Sequence, residues 1–311
     1  MTGPRILAGK TLAADLQAGV AAEVRRMVAA GLRPPGLAVV LAGDDPASKV
    51  YVGSKVKACS EAGLNSRSAI LPADVSEDEI LGVLDDLNRQ EDMDGILVQL
   101  PLPRHLDERR VLERVLPEKD VDGFHTINVG RLWLDQPGFA PATPSGVIEL
   151  LKRSDVPLAG RRAVVVGRSP IVGKPMAALL LREHATVTIC HSRTADLPAV
   201  TREADVLVVA IGRAGMIGPE HVQEGAVVID VGVSRITDRA EVERLFPGDE
   251  GRLRTFESRG SVLTGDVDFH RVAPKASAIT PVPGGVGLLT VAMLLVNTLK
   301  AARLRQGVAS P

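Results

Sequence analysis

The stretch VVVGRSPIVGKPMAALL, residues 164–180, decides the fold of the second half of the chain. It has the pattern of a strand, a turn with glycines at 167 and 173, and a helix that carries Pro175 in its first turn. A glycine backbone can approach a pyrophosphate closely, and the free N–H groups at a helix start can bind it. The spacing is G-x-x-x-x-x-G rather than G-x-G-x-x-G, so on its own it also fits a tight strand-to-helix turn.

Short β-branched runs surround this turn. They cover residues 161–169, 185–193, 204–212 and 226–233. Continuous apolar runs of this length are typical of strands that are buried on both faces. We therefore predict a doubly wound parallel sheet and a Rossmann-like dinucleotide-binding domain over residues 147–285.

The end of the second of these strands favours NADP over NAD. In this fold an acid about 20 residues after the glycine turn accepts from the ribose 2′-hydroxyl of NAD, and TICHSRT, residues 188–194, has no acid. Groups that suit a 2′-phosphate stand there and on the neighbouring loop: His191, Ser192, Arg193, Arg168 and Ser169. The alternative is a set of exposed polar loop residues. Asp196 is interpreted as a helix cap rather than a ribose ligand.

The first half repeats helical and strand patterns, which predicts an α/β domain with a parallel sheet over residues 1–146. Strands are predicted at 36–43 and 94–103, and helices at 11–30, 49–63 and 76–89, the last with a capping box of Ser76 and Glu79. A final amphipathic helix within residues 286–311 is expected to pack back on this first domain.

Composition excludes several classes of protein. The 311 residues are 45% hydrophobic with a net charge of −1, so we expect no nucleic-acid partner. No apolar run approaches the ~18 residues of a membrane span and the N-terminus lacks a secretory apolar core, so we expect no membrane and a cytoplasmic protein. Cys59 and Cys190 are predicted to be buried apolar groups. No ligand spacing supports a metal at Asp120, Asp266 or Asp268.

Five stretches carry a resemblance to a known family: YVGSKVKA at 51–58, VQLPLP at 98–103, PEKDVDGFHTINVGRL at 117–132, VVGRSPIVGKPM at 165–176 and TPVPGGVG at 280–287. Together, and in this order, they resemble the bifunctional methylenetetrahydrofolate dehydrogenase/cyclohydrolase family over nearly the whole chain. The chain departs from the family pattern after GGVG, where Leu288 and Leu289 replace a proline and a methionine or phenylalanine.

The resemblance implies a two-domain enzyme without a metal, usually a homodimer, with its active site between a folate-binding and an NADP-binding domain. Such an enzyme oxidises 5,10-methylenetetrahydrofolate to the methenyl cation with NADP and hydrolyses the cation to 10-formyltetrahydrofolate. Its partners are tetrahydrofolate derivatives, and its place is one-carbon metabolism and purine biosynthesis. A dehydrogenase with little cyclohydrolase activity and a non-catalytic NADP-binding protein are the alternatives.

Matched position by position, the resemblance also implies the site residues. Lys55 corresponds to the catalytic lysine, Gln99 to its partner, and Asp122 to the residue that grips the pterin. Tyr51 corresponds to the family's substrate-contacting tyrosine, and Pro101, Gly284 and Gly285 complete the predicted substrate contacts. The glycines of TPVPGGVG admit close approach of a folate or a nicotinamide, and the segment also fits a simple domain crossover. The cofactor contacts, with those read from the glycine turn and the strand end, are Gly167, Arg168, Ser169, Gly173, Ser192, Arg193 and Val233.

Chemistry explains why a lysine and a glutamine would be paired. A fixed positive charge beside a forming methenyl cation opposes the oxidation, so Lys55 needs a pKa lowered from ~10.4 by desolvation. Gln99 orients the amine without holding a proton on it. Helical spacing puts Tyr51, Lys55 and Cys59 on one side of their helix, whereas Lys57 points away and is predicted to be a solvated charge.

Overall fold

The computed structural model describes residues 3–308 and divides the chain into two compact units. The three-stranded unit comprises residues 12–142 and 290–311, and the six-stranded unit comprises the residues up to 11 together with 143–289. The strands are β1 Arg5–Ile6, β2 Gly36–Ala42, β3 Asn65–Leu71, β4 Gly95–Val98, β5 Arg162–Val166, β6 Thr186–Cys190, β7 Val206–Val209, β8 Val227–Asp230, β9 Ser234–Ile236, β10 Val262–Thr264 and β11 Ala278–Ile279. The helices are α1 Gly9–Ala29, α2 Pro46–Ala62, α3 Glu77–Arg89, α4 Glu108–Arg114, α5 Thr126–Trp133, α6 Ala142–Arg153, α7 Gly173–Arg182, α8 Leu197–Thr201, α9 Arg239–Leu245, α10 Glu250–Arg259, α11 Phe269–Val272 and α12 Val286–Arg305.

The three-stranded unit is built on a parallel sheet in the order β3-β2-β4. Every residue of the central strand β2 is buried. Alternate side chains of β2 point to opposite faces, so Val39 packs with α1, α2 and α12, whereas Val40 packs with α3 and α4. The predicted capping box of Ser76 and Glu79 is confirmed at the start of α3.

Helix α12 supplies core to this unit, as predicted for the C-terminal helix. Leu294, Leu295 and Ala301 lie in the same cluster as side chains from β2 and α2. The helix is long and apolar enough to span a membrane by length and composition, with a mean hydropathy of 1.4 in an 18-residue window of which 50% is buried. Packing in the core of this unit accounts for that apolar character.

The six-stranded unit contains a parallel sheet in the order β1-β11-β8-β7-β5-β6. The chain moves outward from β5 in both directions, to β6 on one side and to β7 and β8 on the other. The predicted doubly wound parallel sheet is therefore confirmed. The switch in direction lies between β5 and β7, and the carboxyl ends of these strands form the crevice where such sheets bind ligands.

The N-terminal strand differs from the predicted division of the chain. We assigned residues 1–146 to the first domain, but β1 pairs with β11 in the sheet of the six-stranded unit, with Arg5 N donating to Ser277 O at 2.9 Å and Leu7 N to Ile279 O at 2.8 Å. A strand of two residues is too short to show a period of two, and its partner lies about 270 residues away. The other boundaries fall at 142/143 inside α6 and 289/290 inside α12, each a few residues from the predicted one.

Residues 234–264 form an element that sequence patterns did not reveal. Strands β9 and β10 pair in antiparallel fashion, with α9 and α10 between them. We call these residues the β9–β10 excursion. Apolar side chains from its strands and helices form a small core of their own: Ile236, Val242, Leu245, Phe246 and Val262.

Candidate functional site

Helix α2 carries Lys55 and ends at well-defined caps. Asp45 accepts from Ser48 N at 2.7 Å at its start, and Gly63 adopts φ 78° after its last turn. Lys55 is half-buried one turn after Tyr51, which is 49% exposed. Cys59, one turn further, is fully buried, so this helix face runs from the surface into the core.

Lys57 lies on the other side of the same helix. Its side chain is 76% exposed and forms an ion pair with Glu61 at 3.7 Å. The sequence prediction that distinguished the two lysines by helical period is confirmed in their burial. Cys59 and Cys190 are both buried and free, again as predicted.

Gln99 follows β4 and provides the hydrogen-bond partner of Lys55. Its backbone N donates to Val40 O at 2.8 Å, which continues the sheet pairing, and its side-chain Nε2 donates to Leu100 O at 2.7 Å. The side-chain Oε1 is thereby oriented towards Lys55 and accepts from its Nζ at 2.8 Å. The amine thus has an uncharged acceptor. The next residue, Pro101, is exposed and is joined to Leu100 by a cis peptide bond.

Burial shifts the pKa of both charged groups at this site. Desolvation lowers the pKa of Lys55, and the nearby charge of Asp122 opposes that change. Desolvation raises the pKa of Asp122 to about 6, where the charge of Lys55 lowers it and that of Asp120 raises it. Loss of water is the largest influence on the pKa of both groups.

The backbone before and after Asp122 is fixed by its neighbours. Asp120 is buried and accepts from Phe124 N at 3.2 Å, His125 N at 2.9 Å and Asn128 Nδ2 at 2.9 Å. On the other side, Asn297 of α12 donates to Val121 O at 2.8 Å. The carboxylate of Asp122 itself takes no hydrogen bond from residues 3–308, so it is available to a ligand.

Two residues that hold this segment were missed by sequence reasoning. Lys119 is 1% exposed, and its Nζ donates to the carbonyls of Leu87, Asn88 and Gln90 at 2.7–3.1 Å, at the C-terminal end of α3. Asn297 lies in an apolar helix, where a buried amide among leucines was the only available signal. Both satisfy backbone carbonyls that burial would otherwise leave unpaired.

The glycine turn after β5 is tightly packed on its own backbone. Gly167 has φ 127°, and a Cβ there would lie 2.2 Å from Ala210 O. A Cβ on Gly173 would lie 2.2 Å from Gly167 O. Ser169 Oγ accepts from Val172 N at 3.1 Å and Gly173 N at 3.3 Å. Its hydroxyl hydrogen remains for a ligand. Only glycines fit at these two positions, because a Cβ would collide with backbone atoms.

The loop after β6 lies beside this turn, because β5 and β6 are neighbours in the sheet. It is folded by two local hydrogen bonds, His191 N to Thr194 Oγ1 at 2.8 Å and Arg193 N to His191 Nδ1 at 3.1 Å. Arg168, Ser192 and Arg193 are exposed, and neither guanidinium makes an ion pair within residues 3–308. Asp196 caps α8 by accepting from Ala199 N at 3.1 Å, as predicted.

Two further predicted groups lie at the same carboxyl edge of the sheet. Val233, which follows β8, is 45% exposed. Gly284 and Gly285 follow β11, where Gly9 N donates to Gly284 O at 2.9 Å. A Cβ on Gly285 would lie 2.6 Å from Pro281 O, so this segment also requires a glycine.

Sequence reasoning did not foresee the role of Asp266. Its carboxylate accepts from Ile211 N at 2.7 Å, Gly212 N at 2.9 Å and Arg213 N at 2.7 Å, and so fixes the loop after β7. Within residues 3–308, no group of three or more His, Cys, Asp or Glu side chains is arranged to hold a metal.

Family models match both units of the chain. Residues 7–122 match the tetrahydrofolate dehydrogenase/cyclohydrolase catalytic domain, and residues 141–306 match the NAD(P)-binding domain of the same family. Among the curated relatives, the bifunctional protein FolD of Koribacter versatilis is 56% identical over 302 residues, covering 97% of this chain and 98% of the relative. The bifunctional protein FolD of Geobacillus thermodenitrificans is 52% identical, covering 96% of this chain and 97% of the relative.

Solved structures agree with these matches. The bifunctional FolD methylenetetrahydrofolate dehydrogenase/cyclohydrolase of Campylobacter jejuni is 42% identical with a TM-score of 0.87, over 96% of this chain and 99% of that one. The Trypanosoma brucei dehydrogenase-cyclohydrolase, solved with NADP cofactor and an inhibitor, is 37% identical with a TM-score of 0.88, over 98% of this chain and 99% of that one. The chain belongs to the tetrahydrofolate dehydrogenase/cyclohydrolase family, with a catalytic domain and an NAD(P)-binding domain.

Proposed function

We propose that Lys55, oriented by Gln99 and accompanied by Asp122, is the catalytic centre for both reactions of this bifunctional enzyme. The enzyme oxidises 5,10-methylenetetrahydrofolate to the methenyl cation with NADP and hydrolyses that cation to 10-formyltetrahydrofolate. The observation that carries the residue assignment is the half-buried amine of Lys55, whose pKa is lowered by burial and whose hydrogen-bond partner is the uncharged Gln99.

The oxidation requires a site that tolerates a new positive charge. NADP supplies the hydride acceptor when it is bound. A neutral Lys55 amine does not repel the amidinium-like cation that remains on the folate. Burial favours that neutral form, and Gln99 offers no charge that would stabilise the ammonium ion.

The hydrolysis uses the same neutral amine as a base. Lys55 accepts a proton from the water whose oxygen bonds to the methenyl carbon. The bond from that carbon to N5 then breaks, and N5 takes the proton back from Lys55. One proton is released overall, and the carbon remains on N10 as a formyl group.

Asp122 and Tyr51 are proposed to hold the folate. No group within residues 3–308 donates a hydrogen bond to the carboxylate of Asp122. When ionised, it can therefore accept two parallel N–H bonds from the amidine edge of the pterin. Tyr51 is 49% exposed and offers a flat amphipathic face to an aromatic ring. Pro101, Gly284 and Gly285 are proposed as the remaining substrate contacts.

NADP is proposed to bind at the carboxyl ends of β5, β6 and β8. The glycines at 167 and 173 suit the pyrophosphate, and the hydroxyl hydrogen of Ser169 is proposed to be donated to it. Arg168, Arg193 and Ser192 are proposed to bind the 2′-phosphate, supported by two exposed guanidiniums that have no carboxylate partner in the described part of the chain. Val233 is proposed as a contact further along the same edge.

We also propose that the enzyme is a cytoplasmic homodimer that supplies formyl groups for purine biosynthesis, as its family resemblance suggests. Light scattering should then give twice the chain mass of 32.8 kDa. A monomer mass at micromolar concentration would contradict the dimer and leave the residue assignments untouched.

A matched pair of lysine variants tests the catalytic centre. Lys55→Met should lower cofactor-free hydrolysis of the methenyl substrate by at least ~100-fold, because general acid–base catalysis contributes roughly that much. NADP-dependent oxidation should fall less, because an uncharged side chain at this position does not repel the forming cation. Lys57→Met, on the exposed side of the same helix, should retain both activities. Hydrolysis by Lys55→Met at the wild-type rate would refute the assignment. A wild-type enzyme that oxidises but does not hydrolyse would instead be a dehydrogenase alone.

A further inference from the structure

Arg252 on α10 joins the β9–β10 excursion to the segment TPVPGGVG, residues 280–287. Its Nη2 donates to Val282 O at 2.9 Å, in the middle of that segment. Its Nη1 donates to Leu263 O at 2.8 Å, on β10. The guanidinium carbon lies 4.7 Å from the centre of the Phe246 ring. One side chain therefore bridges the excursion and the segment, and it is itself held by a cation–π contact.

The guanidinium of Arg252 forms no ion pair with any residue in the described part of the chain. Burial lowers the pKa of Arg252, which means that partial loss of water disfavours its charged form. Hydrogen bonds to the two carbonyl oxygens offset part of that loss. A lysine at this position could not address two carbonyls from one rigid plane. An arginine at this position therefore fixes the two carbonyl groups relative to each other.

The base of the excursion is anchored at the carboxyl end of β8. Asp230 accepts from Gly232 N at 3.0 Å, Asp266 N at 3.0 Å and Val267 N at 2.9 Å. Thr280 Oγ1 accepts from Asp230 N at 2.7 Å, so the start of the 280–287 segment is held by the same strand. Arg252 then fixes the segment two residues further on.

A cavity of about 160 Å³ lies beside this bridge, lined among others by Arg252, Phe246, His270, Pro281 and Val282. The 280–287 segment therefore borders a cavity on this side instead of packed side chains. Its position depends on a small number of hydrogen bonds. Arg252 is the side chain that supplies a hydrogen bond to the Val282 carbonyl.

We propose that Arg252 is a positioning residue, through which the β9–β10 excursion holds the 280–287 segment in the conformation that binds folate. This inference rests on the proposed function, in which Gly284 and Gly285 of the segment contact the substrate. Arg252 touches neither substrate nor cofactor in this role. Its effect is on folate affinity.

The test compares wild type with Arg252→Ala, and with Arg254→Ala as the matched control. Arg254 is exposed on the same helix and pairs with Glu250 at 3.3 Å. For Arg252→Ala we expect the KM for methylenetetrahydrofolate to rise roughly tenfold to a hundredfold, the range for losing hydrogen bonds made by a charged group. The kcat should change less than about threefold, since the catalytic lysine is untouched. Arg254→Ala should match wild type in both constants.

Two further readouts separate positioning from a general loss of structure. Added guanidinium ion should restore the KM of Arg252→Ala at least in part, because the cavity and the deleted side chain leave room for it. Calorimetric titration with methylenetetrahydrofolate, which is not oxidised without NADP, should give a Kd weakened by the same factor as the KM. Arg252→Gln keeps one amide donor, so its KM and Kd should lie between those of wild type and Arg252→Ala. It replaces the alanine variant if that variant is insoluble.

The outcomes are distinct. A folded Arg252→Ala or Arg252→Gln enzyme with wild-type KM and Kd would overturn the inference. So would a fall in kcat in proportion to the folded fraction, with no change in KM and no rescue. A wild-type chain with no turnover of either substrate would instead remove the proposed function itself.

Discussion

Lys55 illustrates how one side chain is set by opposing influences. The charge of Asp122 favours its ammonium form, whereas burial disfavours it, and burial is the larger effect. Gln99 adds a hydrogen bond at 2.8 Å without adding charge. The lowered pKa of Lys55 therefore depends on its hydrogen-bond partner, Gln99, being neutral.

Gln99→Glu should raise the pKa of Lys55, because a carboxylate beside the amine stabilises the ammonium ion. We expect kcat for hydrolysis at neutral pH to fall at least ~10-fold and the limb of the pH–rate profile that reports Lys55 to move to higher pH. The exposed Gln136→Glu provides the matched control and should leave the profile unchanged. A Gln99→Glu enzyme with the wild-type profile would show that the pair does not control the charge of Lys55.

Asp122 should impose a second pH dependence, on substrate affinity. Its pKa is raised to about 6, so its carboxylate is protonated below that pH and can no longer accept two N–H bonds from the pterin. We expect the KM for methylenetetrahydrofolate to be flat above pH 7 and to rise about tenfold per pH unit well below 6. Asp122→Asn should have a high KM that lacks this dependence, and a parallel acid limb in both enzymes would argue against Asp122.

The raised pKa of Asp122 also makes the free energy of unfolding depend on pH. The folded pKa of about 6 lies above the ordinary value of 3.8, so the folded protein retains a proton that the unfolded chain releases. The contribution of Asp122 to the free energy of unfolding is therefore fully present below pH 3.8 and is lost as pH rises through about 6.

At the scale of elements, the turn from β5 to α7 depends on two glycines, of which Gly167 packs against the backbone of Ala210 and Gly173 against the backbone of Gly167. A Cβ on Gly173 would lie 2.2 Å from Gly167 O, 2.5 Å from Gly167 C and 2.8 Å from Arg168 N. Because all three atoms belong to the backbone, a side chain is accommodated only if the turn itself moves. The Ser169 hydroxyl, which accepts from Gly173 N and is proposed for the pyrophosphate, would move with it.

Gly173→Ala should therefore weaken NADP binding at least ~10-fold in a fluorescence titration, since this turn is proposed to meet the phosphates. Gly19→Ala is the control, because Gly19 lies in α1 with no atom within 4 Å of an added Cβ. That change should raise the free energy of unfolding by up to ~1 kcal/mol through helix propensity and leave the NADP Kd unaltered. Equal NADP affinity in Gly173→Ala and wild type would exclude this turn as the pyrophosphate site.

At the scale of the whole molecule, the two ends of the chain cross the boundary suggested by sequence order. The family model for the NAD(P)-binding domain runs continuously to residue 306, whereas packing assigns residues 290–311 to the three-stranded unit. Asp94 is one reason. It is fully buried and accepts from Arg33 at 2.6 and 2.7 Å and from Arg305 of α12 at 2.9 Å.

Asp94→Asn should destabilise the three-stranded unit by about 3 kcal/mol, because two guanidiniums would lose the charge that compensates their burial. Urea unfolding followed by circular dichroism measures this change as a lower midpoint. Asp86→Asn, which removes one partner of an exposed pair with Arg89, should change the free energy of unfolding by less than ~1 kcal/mol. Comparable losses in both variants would show that the Asp94 cluster is no more than a surface ion pair.

Sequence alone determined the features that depend on neighbours along the chain. The β-branched runs predicted the parallel sheet, Ser76 and Glu79 predicted their capping box, and the spacing of Lys55 and Lys57 separated a half-buried amine from a solvated one. Each rests on contacts within one or two helical turns or on a continuous apolar run along a strand. Such contacts are encoded locally, so a pattern reveals them.

Tertiary structure alone decided the rest. Asn297 bonds Val121 O from 176 residues away, β1 pairs with a strand at residues 278–279, and Arg252 reaches Val282 from a helix that no pattern predicted. Resemblance could name Lys55 and Asp122 from the sequence, and chemistry predicted a lowered pKa for Lys55, but the raised pKa of Asp122 follows from how much water the fold removes around it. Burial is a sum over atoms brought together from distant parts of the chain, and no local pattern contains that sum.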